Sequence, residues 1–411
     1  MNGSPQENDP QSMESALAAD LRDLAAAGLR RELRPVASRS GAEVMLGDGR
    51  RAIDFSSNDY LGLADDPRVA EAACAALHAH GTGAGAARLI SGDHALHGEL
   101  ERELAALKGC QAALLFSTGY AANVGAIPAL VGRGDAVYAD ALNHASLIDG
   151  CRLSRAEIRV FPHRDTDALA AMLREDAGRF RRRMVVVDAV FSMDGDLFPL
   201  DVLVDLAGEH GAWTYVDDAH GTGVLGATGR GSAEHWGVEG RLDVVMGTLG
   251  KALGTAGAFI AGSATLREYL LNRARSFVFS TAPPPALSAA TLAALRIARD
   301  EPWRRERLRT HARALRTALA SAGIETGGEP DGHIVPILTG SAEATVRAGD
   351  ALRGLGFLVG AVRPPTVPAG TSRLRVTLSA AHTDAHVHGL VDVLLRVLPP
   401  VAATRTESDG G

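Results

Sequence analysis

Lysine and cysteine are scarce in this chain. Of its 42 lysine and arginine residues, only Lys108 and Lys251 are lysines. The three cysteines, Cys74, Cys110 and Cys151, form neither a CxxC pair nor the spacing of a zinc site. An odd and unpatterned set of cysteines is typical of reduced packing residues, so we expect no disulfide framework and a cytoplasmic location.

Net positive charge and long apolar segments are also missing. The formal net charge is −7, which argues against general binding of nucleic acid or anionic membranes, because both need a positive surface. No apolar run approaches the length of a membrane span, and residues 1–20 are too polar for a secretory signal. We expect residues 1 to about 15 and the tail over 404–411 to be disordered, because they offer little apolar surface.

The two lysines lie in different sequence contexts. Lys108 ends a predicted helix just before Gly109, where a cation complements the helix dipole. Lys251 lies in a glycine-rich turn after the apolar run 242–246. A lysine amine can be deprotonated and form a Schiff base, which an arginine guanidinium cannot. Lys251 is therefore a candidate for covalent attachment of a cofactor.

Short apolar runs alternate with helical patterns along the middle of the chain. The runs are 112–116, 136–138, 184–187, 213–216, 242–246 and 258–261. This alternation predicts an α/β fold with a mostly parallel sheet covered by helices. Two further strand-like runs, 333–338 and 373–379, lie among helical segments and predict a smaller α+β domain at the C-terminus.

The expected organisation has four parts. An N-terminal arm covers residues 1–55, a large cofactor-binding domain 56–285, a small domain 286–400 and a tail 401–411. Three consecutive prolines over 283–285 mark the boundary between the two domains. A chain of 411 residues is long enough for two such cores.

The residues that follow the predicted strands are chemically rich. Ser117-Thr-Gly-Tyr-Ala-Ala-Asn123 offers hydroxyls and free amides at the start of a helix, which suits a phosphate. Other strands are followed by His144, by Asp217 with His220 three residues later, and by Lys251. Ligands of open parallel sheets bind at this edge. The combination of a phosphate cradle, an aspartate, a histidine and a lysine indicates pyridoxal phosphate.

Two other sites are weighed against this reading. Gly221-Thr-Gly-Val-Leu-Gly226 is a literal GxGxxG, so a dinucleotide-dependent oxidoreductase is a remote alternative. The motif does not begin at the strand end and opens no helical pattern, which disfavours that alternative. The histidines at 78, 80, 94 and 97 lack a carboxylate or thiol at usual ligand spacing, so we expect no metal site.

Several motifs together resemble the α-oxoamine synthases, a family of fold-type I pyridoxal-phosphate enzymes. The matching segments include Phe55-Ser-Ser-Asn-Asp-Tyr-Leu-Gly-Leu63, Asn143-His-Ala-Ser146, Val190-Phe-Ser-Met-Asp-Gly195, Asp217-Asp-Ala-His-Gly-Thr-Gly223, Thr248-Leu-Gly-Lys251 and Phe279-Ser-Thr-Ala-Pro-Pro284. The resemblance covers nearly the whole ordered chain. It implies a large domain with a seven-stranded sheet, a smaller C-terminal domain, and a homodimer with active sites at the interface.

The resemblance implies that Lys251, His144, Asp217 and His220 are the catalytic residues. Lys251 would bind the cofactor covalently and later act as a base. Asp217 would pair with the protonated pyridine nitrogen, and His144 would stack on the ring. Ser192 and His220 would contact the phenolic oxygen of the cofactor.

The cofactor phosphate and the substrates have their own implied residues. Thr248 and the backbone of Gly119 and Tyr120 would hold the phosphate, and Thr281 would reach it from the partner subunit. The implied substrate-binding residues are Arg30, Asn58, Thr366 and Arg373. Arg373 would bind the amino-acid carboxylate, because a guanidinium binds a carboxylate through two parallel hydrogen bonds. The register of Arg30 against its neighbours Arg31 and Arg34 stays open.

The segment Arg363-Pro-Pro-Thr-Val-Pro-Ala-Gly-Thr-Ser-Arg-Leu-Arg375 looks like that of family members acting in biotin biosynthesis. Those members condense L-alanine with pimeloyl-CoA or a pimeloyl-carrier protein and release carbon dioxide and the thiol. A glycine-using member such as glycine C-acetyltransferase is the alternative within the family. An aminotransferase or aldolase would keep Lys251 and Asp217 but release no thiol.

Overall fold

The computed structural model describes residues 12–398. The expected disorder over 1–11 and at the C-terminal tail lies outside these residues. Helix α1 begins at Met13, inside the segment that the sequence predicts to be disordered. Within 12–398 no helix has the length and apolar character needed to cross a bilayer, and the cytoplasmic location stays a prediction.

Fourteen strands and fourteen α-helices form the described part of the chain, with a π-helical turn at Arg88–Gly92. The strands are β1 Val36–Ser40, β2 Glu43–Leu46, β3 Arg51–Asp54, β4 Ala112–Phe116, β5 Ala136–Asp140, β6 Glu157–Phe161, β7 Arg183–Asp188, β8 Trp213–Asp217, β9 Val244–Thr248, β10 Ala258–Gly262, β11 Ile334–Gly340, β12 Phe357–Leu358, β13 Gly360–Val362 and β14 Ser372–Thr377. The helices are α1 Met13–Ala26, α2 Pro67–His80, α3 Ala95–Lys108, α4 Gly119–Leu130, α5 Ala145–Ser154, α6 Thr166–Glu175, α7 Leu200–His210, α8 Ser232–His235, α9 Ala264–Arg273, α10 Arg275–Val278, α11 Pro285–Asp300, α12 Trp303–Ser321, α13 Ala342–Gly354 and α14 Asp384–Val397.

The central sheet has seven strands in the order β4-β10-β9-β8-β7-β5-β6. All neighbouring pairs are parallel except the two that β10 makes with β4 and β9. The prediction of a mostly parallel, helix-covered sheet is confirmed. Each predicted apolar run falls on a strand of this sheet, because both faces of the strands are buried.

The two faces of the sheet pack against different helices. Alternate residues such as Val186 and Met246 pack with α4, α5 and α9, whereas Val187 and Val245 pack with α6 and α7. Strand β6 was missed by the sequence reading. Its segment Glu-Ile-Arg-Val-Phe is mostly exposed at the sheet edge and carries two charges, so it lacks the continuous apolar run of a buried strand.

The N-terminal strands and the C-terminal part of the chain are joined through a second sheet. It has the order β1-β2-β3-β12, so β12 from the C-terminal part pairs with β3. A third sheet, β11-β14-β13, packs against α12 and α13, and α14 packs on these two helices. Strand β3 ends at Asp54 and α11 begins at Pro285, close to the expected limits of the large domain, whose boundaries stay a prediction.

Lys108 is more than a surface cation at a helix end. Gly109 takes the left-handed C-cap of α3 as predicted. The Lys108 amine, however, is buried and donates to Asp218 Oδ2 and to the carbonyl of Arg230, both at 2.6 Å. The interpretation as a helix-dipole partner alone was therefore wrong. Cys74 also differs from expectation, because it is exposed rather than packed.

The histidines at 94 and 97 have structural partners. The ring of His94 caps α3 by accepting from the Leu96 amide, and His97 Nδ1 accepts from the backbone amide of His94. The other ring nitrogen of His97 lies 2.9 Å from the carbonyl oxygen of Pro283. Within the described residues no group of three or more His, Cys, Asp or Glu side chains has the geometry of a metal site.

Candidate active site

The sheet brings the predicted site residues to one edge. Strands β5, β7, β8 and β9 are consecutive neighbours and parallel, so their carboxyl ends lie together. Three of them end in aspartate, at Asp140, Asp188 and Asp217. His144 follows β5 by four residues, and Lys251 follows β9 by three. This edge is where open parallel sheets bind ligands.

Lys251 lies in a tight turn between β9 and β10. The turn is closed by hydrogen bonds from Leu249 N to Gly257 O and from Gly254 N to Lys251 O, both 2.9 Å. Gly254 has φ +64°, and an added Cβ would lie 2.4 Å from Ala64 N, so this position requires glycine. The turn fixes where the lysine side chain leaves the backbone.

The Lys251 amine is buried and lies 2.8 Å from His220 Nε2. Burial lowers its pKa to about 8, against the opposing effect of the nearby carboxylates of Asp217 and Asp188. A lysine with this pKa has a substantial neutral fraction near neutral pH. It can therefore act both as a nucleophile and as a base.

Asp217 is held by a network of buried amide and hydroxyl groups. Its Oδ2 accepts from Asn123 Nδ2 at 2.8 Å, and its Oδ1 accepts from Ala219 N at 3.0 Å. Asn123 is itself fixed by Tyr215 OH at 2.8 Å and by Ser146 Oγ at 2.9 Å. Burial raises the pKa of Asp217, while Lys251 opposes this rise. A cation at this carboxylate would be strongly favoured.

His144 and Asp188 lie next to this network. The backbone amide of His144 donates to Asp188 Oδ2 at 2.6 Å, and its Nδ1 lies 2.7 Å from Ser146 Oγ. Asp188 is buried, and burial together with the neighbouring Asp217 raises its pKa well above the usual value. The imidazole of His144 is exposed, so the crevice has a fixed aromatic ring at its mouth.

A buried chain of polar groups links Lys251 to Arg375. His220 Nδ1 lies 2.6 Å from Tyr60 OH, and Tyr60 OH donates to Asn58 Oδ1 at 3.0 Å. Because the single Tyr60 proton goes to Asn58, His220 donates from Nδ1 and its Nε2 accepts from Lys251. Burial holds the pKa of His220 well below its usual value, which keeps this ring neutral.

His333 is a buried neighbour that the sequence did not single out. Its ring packs edge-on against Tyr60 at a centroid distance of 4.2 Å. Its Nε2 is buried and has no hydrogen-bond partner among the described residues. Burial lowers the pKa of His333 to about 3, so it stays neutral. It therefore adds an aromatic wall rather than a charge.

The amino end of α4 forms the predicted anion cradle. Thr118 caps the helix by accepting from Ala121 N at 3.0 Å. The amides of Gly119 and Tyr120 belong to the first turn, which has no carbonyl of its own to pair with. The Tyr120 hydroxyl points elsewhere and donates to Asp149 at 2.5 Å. The backbone is the part of this segment that remains available for a phosphate, and its role there stays a prediction.

Thr248 and Thr281 are placed differently from each other. Thr248 ends β9 at the same edge as Gly119, and its hydroxyl donates to Gly257 O at 3.1 Å. Thr281 is exposed and forms a β-bridge with Ala87, outside the crevice of its own chain. The contribution of Thr281 to a partner subunit's site stays a prediction.

The guanidinium of Arg373 is already paired within the chain. Its guanidinium pairs with Asp194 Oδ1 and donates from Nε to Thr371 O at 3.0 Å. Arg375, two residues along β14, instead reaches Asn58 Oδ1 with both terminal nitrogens at 3.3 Å and donates to Ser192 O. Arg375 also opposes protonation of Lys251 and His220, so it lies near both. This geometry favours Arg375 over Arg373 for binding a substrate carboxylate, and the assignment stays a prediction.

Of the remaining predicted substrate residues, Arg30 lines an arginine-rich groove and Thr366 contacts Arg31, which lines it too. Arg31 donates to Thr366 Oγ1 at 3.2 Å. The carbonyl of Arg30 accepts from Arg363 at 3.1 Å, and the Arg30 side chain lines the same groove. Arg31 and Thr366 are thus brought together, and the role of this region in substrate binding stays a prediction. Arg31, not Arg30, makes the side-chain contact with Thr366.

Sequence reading missed several residues of this site. Tyr60, Asn123, Ser146 and Arg375 all lie inside motifs quoted for the family resemblance, but no role was given to them. Their signal was polarity within otherwise apolar or glycine-rich segments. His333 had no such signal, because its neighbours in sequence differ from its neighbours in space.

Comparison with known proteins agrees with this geometry. Residues 50–394 match the family described as Aminotransferase class I and II. An 8-amino-7-oxononanoate synthase of Anaeromyxobacter dehalogenans (strain 2CP-1) is 52% identical over 383 residues, which cover 93% of this chain and 95% of that protein.

Two solved structures extend the comparison. Serine palmitoyltransferase from S. paucimobilis, a variant with bound PLP–myriocin aldimine, has a TM-score of 0.87 and 33% identity, covering 95% of this chain and 98% of the other. An 8-amino-7-oxononanoate synthase from Francisella tularensis has a TM-score of 0.73 and 26% identity, covering 84% of this chain and 96% of the other.

Proposed function

Since the chain belongs to the class I and II aminotransferase family and, within it, to the family of 8-amino-7-oxononanoate synthases, we propose that it condenses L-alanine with a pimeloyl thioester. The products are 8-amino-7-oxononanoate, carbon dioxide and free thiol, a step of biotin biosynthesis. The observation that carries this proposal is the buried Lys251 amine beside His220 and Asp217, at an edge that also has an anion cradle.

The residues present fit pyridoxal 5′-phosphate. Lys251 offers a buried amine whose pKa is lowered to about 8, and Asp217 offers a buried carboxylate suited to a ring N–H. The first amides of α4 and the hydroxyl of Thr248 suit the phosphate. The PLP-bound serine palmitoyltransferase, which shares this fold, supports the same cofactor.

Pyridoxal phosphate, when bound, supplies an aldehyde that condenses with amines and a ring that accepts electrons from a bond broken at the amino-acid α-carbon. The chain's own residues must then control protons and orientation. Lys251 would attach the cofactor and, once displaced by the amine of L-alanine, would remove the α-proton of the substrate. Its neighbour His220 accepts a hydrogen bond from the amine and so fixes the direction of the lone pair.

Asp217 would keep a proton on the pyridine nitrogen. An ion pair of this kind at about 4 Å and an effective dielectric of about 20 is worth roughly 4 kcal/mol before desolvation costs. Asn123 and Ala219 donate to the two carboxylate oxygens, so the aspartate cannot rotate away. His144 would cover one face of the ring, and Ser192 with His220 would contact the phenolic oxygen.

Arg375 would orient the carboxylate of L-alanine. The two terminal nitrogens of its guanidinium share one neutral acceptor, Asn58 Oδ1, at 3.3 Å, so both can turn to a carboxylate. Arg373 is already paired with Asp194 and is a poorer candidate. Fixing the carboxylate orients the bonds at the α-carbon, both for proton removal and for the later loss of carbon dioxide.

The acyl thioester would approach along the arginine-lined groove. Arg30 and Arg31 line it, Arg31 donates to Thr366, and cations suit the free carboxylate of a pimeloyl chain or the phosphates of a carrier. We propose both pimeloyl-CoA and a pimeloyl-carrier protein as possible donors. We also propose a homodimer, in which Thr281 of one protomer completes the phosphate site of its partner.

Thiol release tests the substrate assignment. Purified enzyme with pyridoxal phosphate should release thiol from pimeloyl thioester faster with L-alanine than with glycine or L-serine. Acetyl, succinyl and palmitoyl thioesters should release thiol more slowly with each of these three amino acids. The CoA and carrier-protein thioesters should be compared in parallel. Preference for glycine or L-serine would overturn the assignment to L-alanine but keep the acyltransferase chemistry.

A covalent test addresses the cofactor. The holoenzyme should be yellow, and borohydride should fix the cofactor to the peptide that contains Lys251, as read by mass spectrometry. Lys251→Ala should show no fixed cofactor and no thiol release. The readout is clear because the only other lysine is the buried Lys108. A wild-type protein that stays colourless with excess pyridoxal phosphate would contradict the proposal.

A further inference from the structure

His163 lies between two carboxylates at the carboxyl end of the sheet. Its Nδ1 is 3.0 Å from Asp140 Oδ1, at the end of β5, and its Nε2 is 2.9 Å from Asp196 Oδ2. Arg164 donates to Asp196 Oδ2 at 3.2 Å and, from its backbone, to Asp140 Oδ2 at 2.8 Å. Asp140 ends β5 at the site edge, whereas His163, Arg164 and Asp196 belong to no part of the site described above.

Both ring nitrogens of His163 act as donors here. An ionised carboxylate can only accept, so a histidine between two of them must carry both protons. Burial opposes this charge, but the hydrogen bonds that His163 donates to Asp140 and Asp196 outweigh it and raise the pKa of His163 to about 9. The cluster is therefore an imidazolium bridge at neutral pH.

The bridge holds one side of a closed turn. The turn runs from Phe191 to Asp196 and is closed by Phe191 N to Asp196 O at 3.0 Å and by Gly195 N to Phe191 O at 2.8 Å. The ring of Phe191 also packs edge-on against His163 at a centroid distance of 4.3 Å. Two contacts therefore tie this turn to His163: a charged hydrogen bond and an aromatic packing contact.

The opposite side of the same turn touches the substrate-binding arginine. Ser192 O accepts from Arg375 Nε, and Asp194 accepts from Arg373. Gly195 packs directly on β11, where an added Cβ would lie 2.6 Å from Ile334 O. The turn is thus a rigid link from the end of β5 to the arginines of β14.

We propose that His163 is a positioning residue. It ties the Phe191–Asp196 turn, through Asp196, to Asp140 at the end of β5, and this clamp sets the place of the Arg375 guanidinium. This proposal rests on the proposed function, because the position of Arg375 is measured through the KM for L-alanine. Without the clamp, the turn can shift away from β14 and Ser192 O no longer fixes Arg375. The amino-acid carboxylate is then held less well. Ser192 belongs to the same turn and would contact the phenolic oxygen, so the cofactor absorbance of each variant is measured alongside KM.

The test is a KM-against-kcat comparison for L-alanine with His163→Gln. The clamp variant should raise KM for L-alanine about fivefold or more and leave KM for the thioester within about twofold. Asp196→Asn is the second variant; it keeps an acceptor for His163 but removes the charge, and it should raise the same KM by a smaller factor. It also keeps the proposal testable if His163→Gln does not fold.

Arg181→Gln is the matched control. Arg181 pairs bidentately with Asp135 at 2.8 and 2.9 Å. Asp135 directly precedes β5, so this pair lies at the opposite end of that strand from Asp140. The substitution should lower stability without changing KM for L-alanine. If His163→Gln lowers only the apparent kcat and leaves KM unchanged, as a loss of folded protein would, the positioning role is refuted.

A double variant separates this role from a direct one. In an Arg375→Lys background, His163→Gln should add little further increase in KM, because both changes act through the same guanidinium. If the increases in KM caused by the two substitutions multiply in full, His163 does not act through Arg375 and the proposal is refuted. An inactive wild-type enzyme with L-alanine would instead contradict the proposed function, so the two failures are distinguishable.

Discussion

The choice between Arg375 and Arg373 as the carboxylate-binding residue leads to a sharp prediction. Arg375→Lys keeps the charge but removes the planar fork, so a substrate carboxylate loses one of two parallel hydrogen bonds. The side chain is buried, with 7% of its surface exposed, so solvent cannot replace the lost bond. A hydrogen bond to a charged group is worth about 1.5–3 kcal/mol, or roughly a 10- to 150-fold loss in kcat/KM for L-alanine.

Arg373→Lys is the matched comparison. Arg373 lies on the same strand and the same face, two residues away, but its guanidinium is committed to Asp194. Asp194 is 32% exposed, so water can solvate it when the pair is weakened. We expect kcat/KM for L-alanine to fall by less than about threefold in this variant.

The assay is steady-state thiol release at saturating pimeloyl thioester with L-alanine varied. Both variants should first be shown to bind the cofactor with wild-type absorbance. The reasoning fails if Arg373→Lys reduces kcat/KM for L-alanine as much as Arg375→Lys does. It also fails if Arg375→Lys raises KM for the thioester instead of KM for L-alanine.

Three further predictions concern stability. Lys108→Met leaves the 2%-exposed Asp218 as an unpaired buried charge and should lower the free energy of unfolding by about 3–5 kcal/mol in urea titrations; a loss below about 1 kcal/mol would contradict the ion pair. His163 has a folded pKa raised to about 9, so the wild-type advantage over His163→Gln should be complete below about pH 6.5 and lost as pH rises through 9. A gap that widens with pH would refute the imidazolium. Gly195→Ala should lower the melting temperature, because φ is +70° and a Cβ would meet the carbonyl of Ile334; an unchanged value would contradict the close packing.

The sheet and its site edge were predictable from sequence. Buried parallel strands are continuous apolar runs, and the chemistry-bearing residues follow them directly, as at Asp217 and Lys251. Strand β6 was not predictable by the same signal, because it lies at the edge of the sheet and is mostly exposed. The pairing of β12 with β3 was also hidden, since it joins segments about 300 residues apart through only two residues.

The sequence could not decide the finer assignments where two candidates share a local pattern. Arg373 and Arg375 have the same type, strand and face, and only their partners, Asp194 and Asn58, distinguish them. Those partners lie 179 and 317 residues away in the chain. Lys108 misled for the same reason. Its helix-end position was read correctly, but its carboxylate partner comes from a loop 110 residues later.

The near absence of lysine gives the folded chain an unusual chemical surface. Both lysines are engaged, Lys108 with Asp218 and Lys251 with His220, and the chain has no third. A reagent that acylates side-chain amines can therefore reach Lys108 only when the core opens. Lys251 is partly exposed in the crevice that would admit the substrates, so a small reagent would reach it without global opening. Two peptides in one mass spectrum would then separate the stability of the core from access to the crevice.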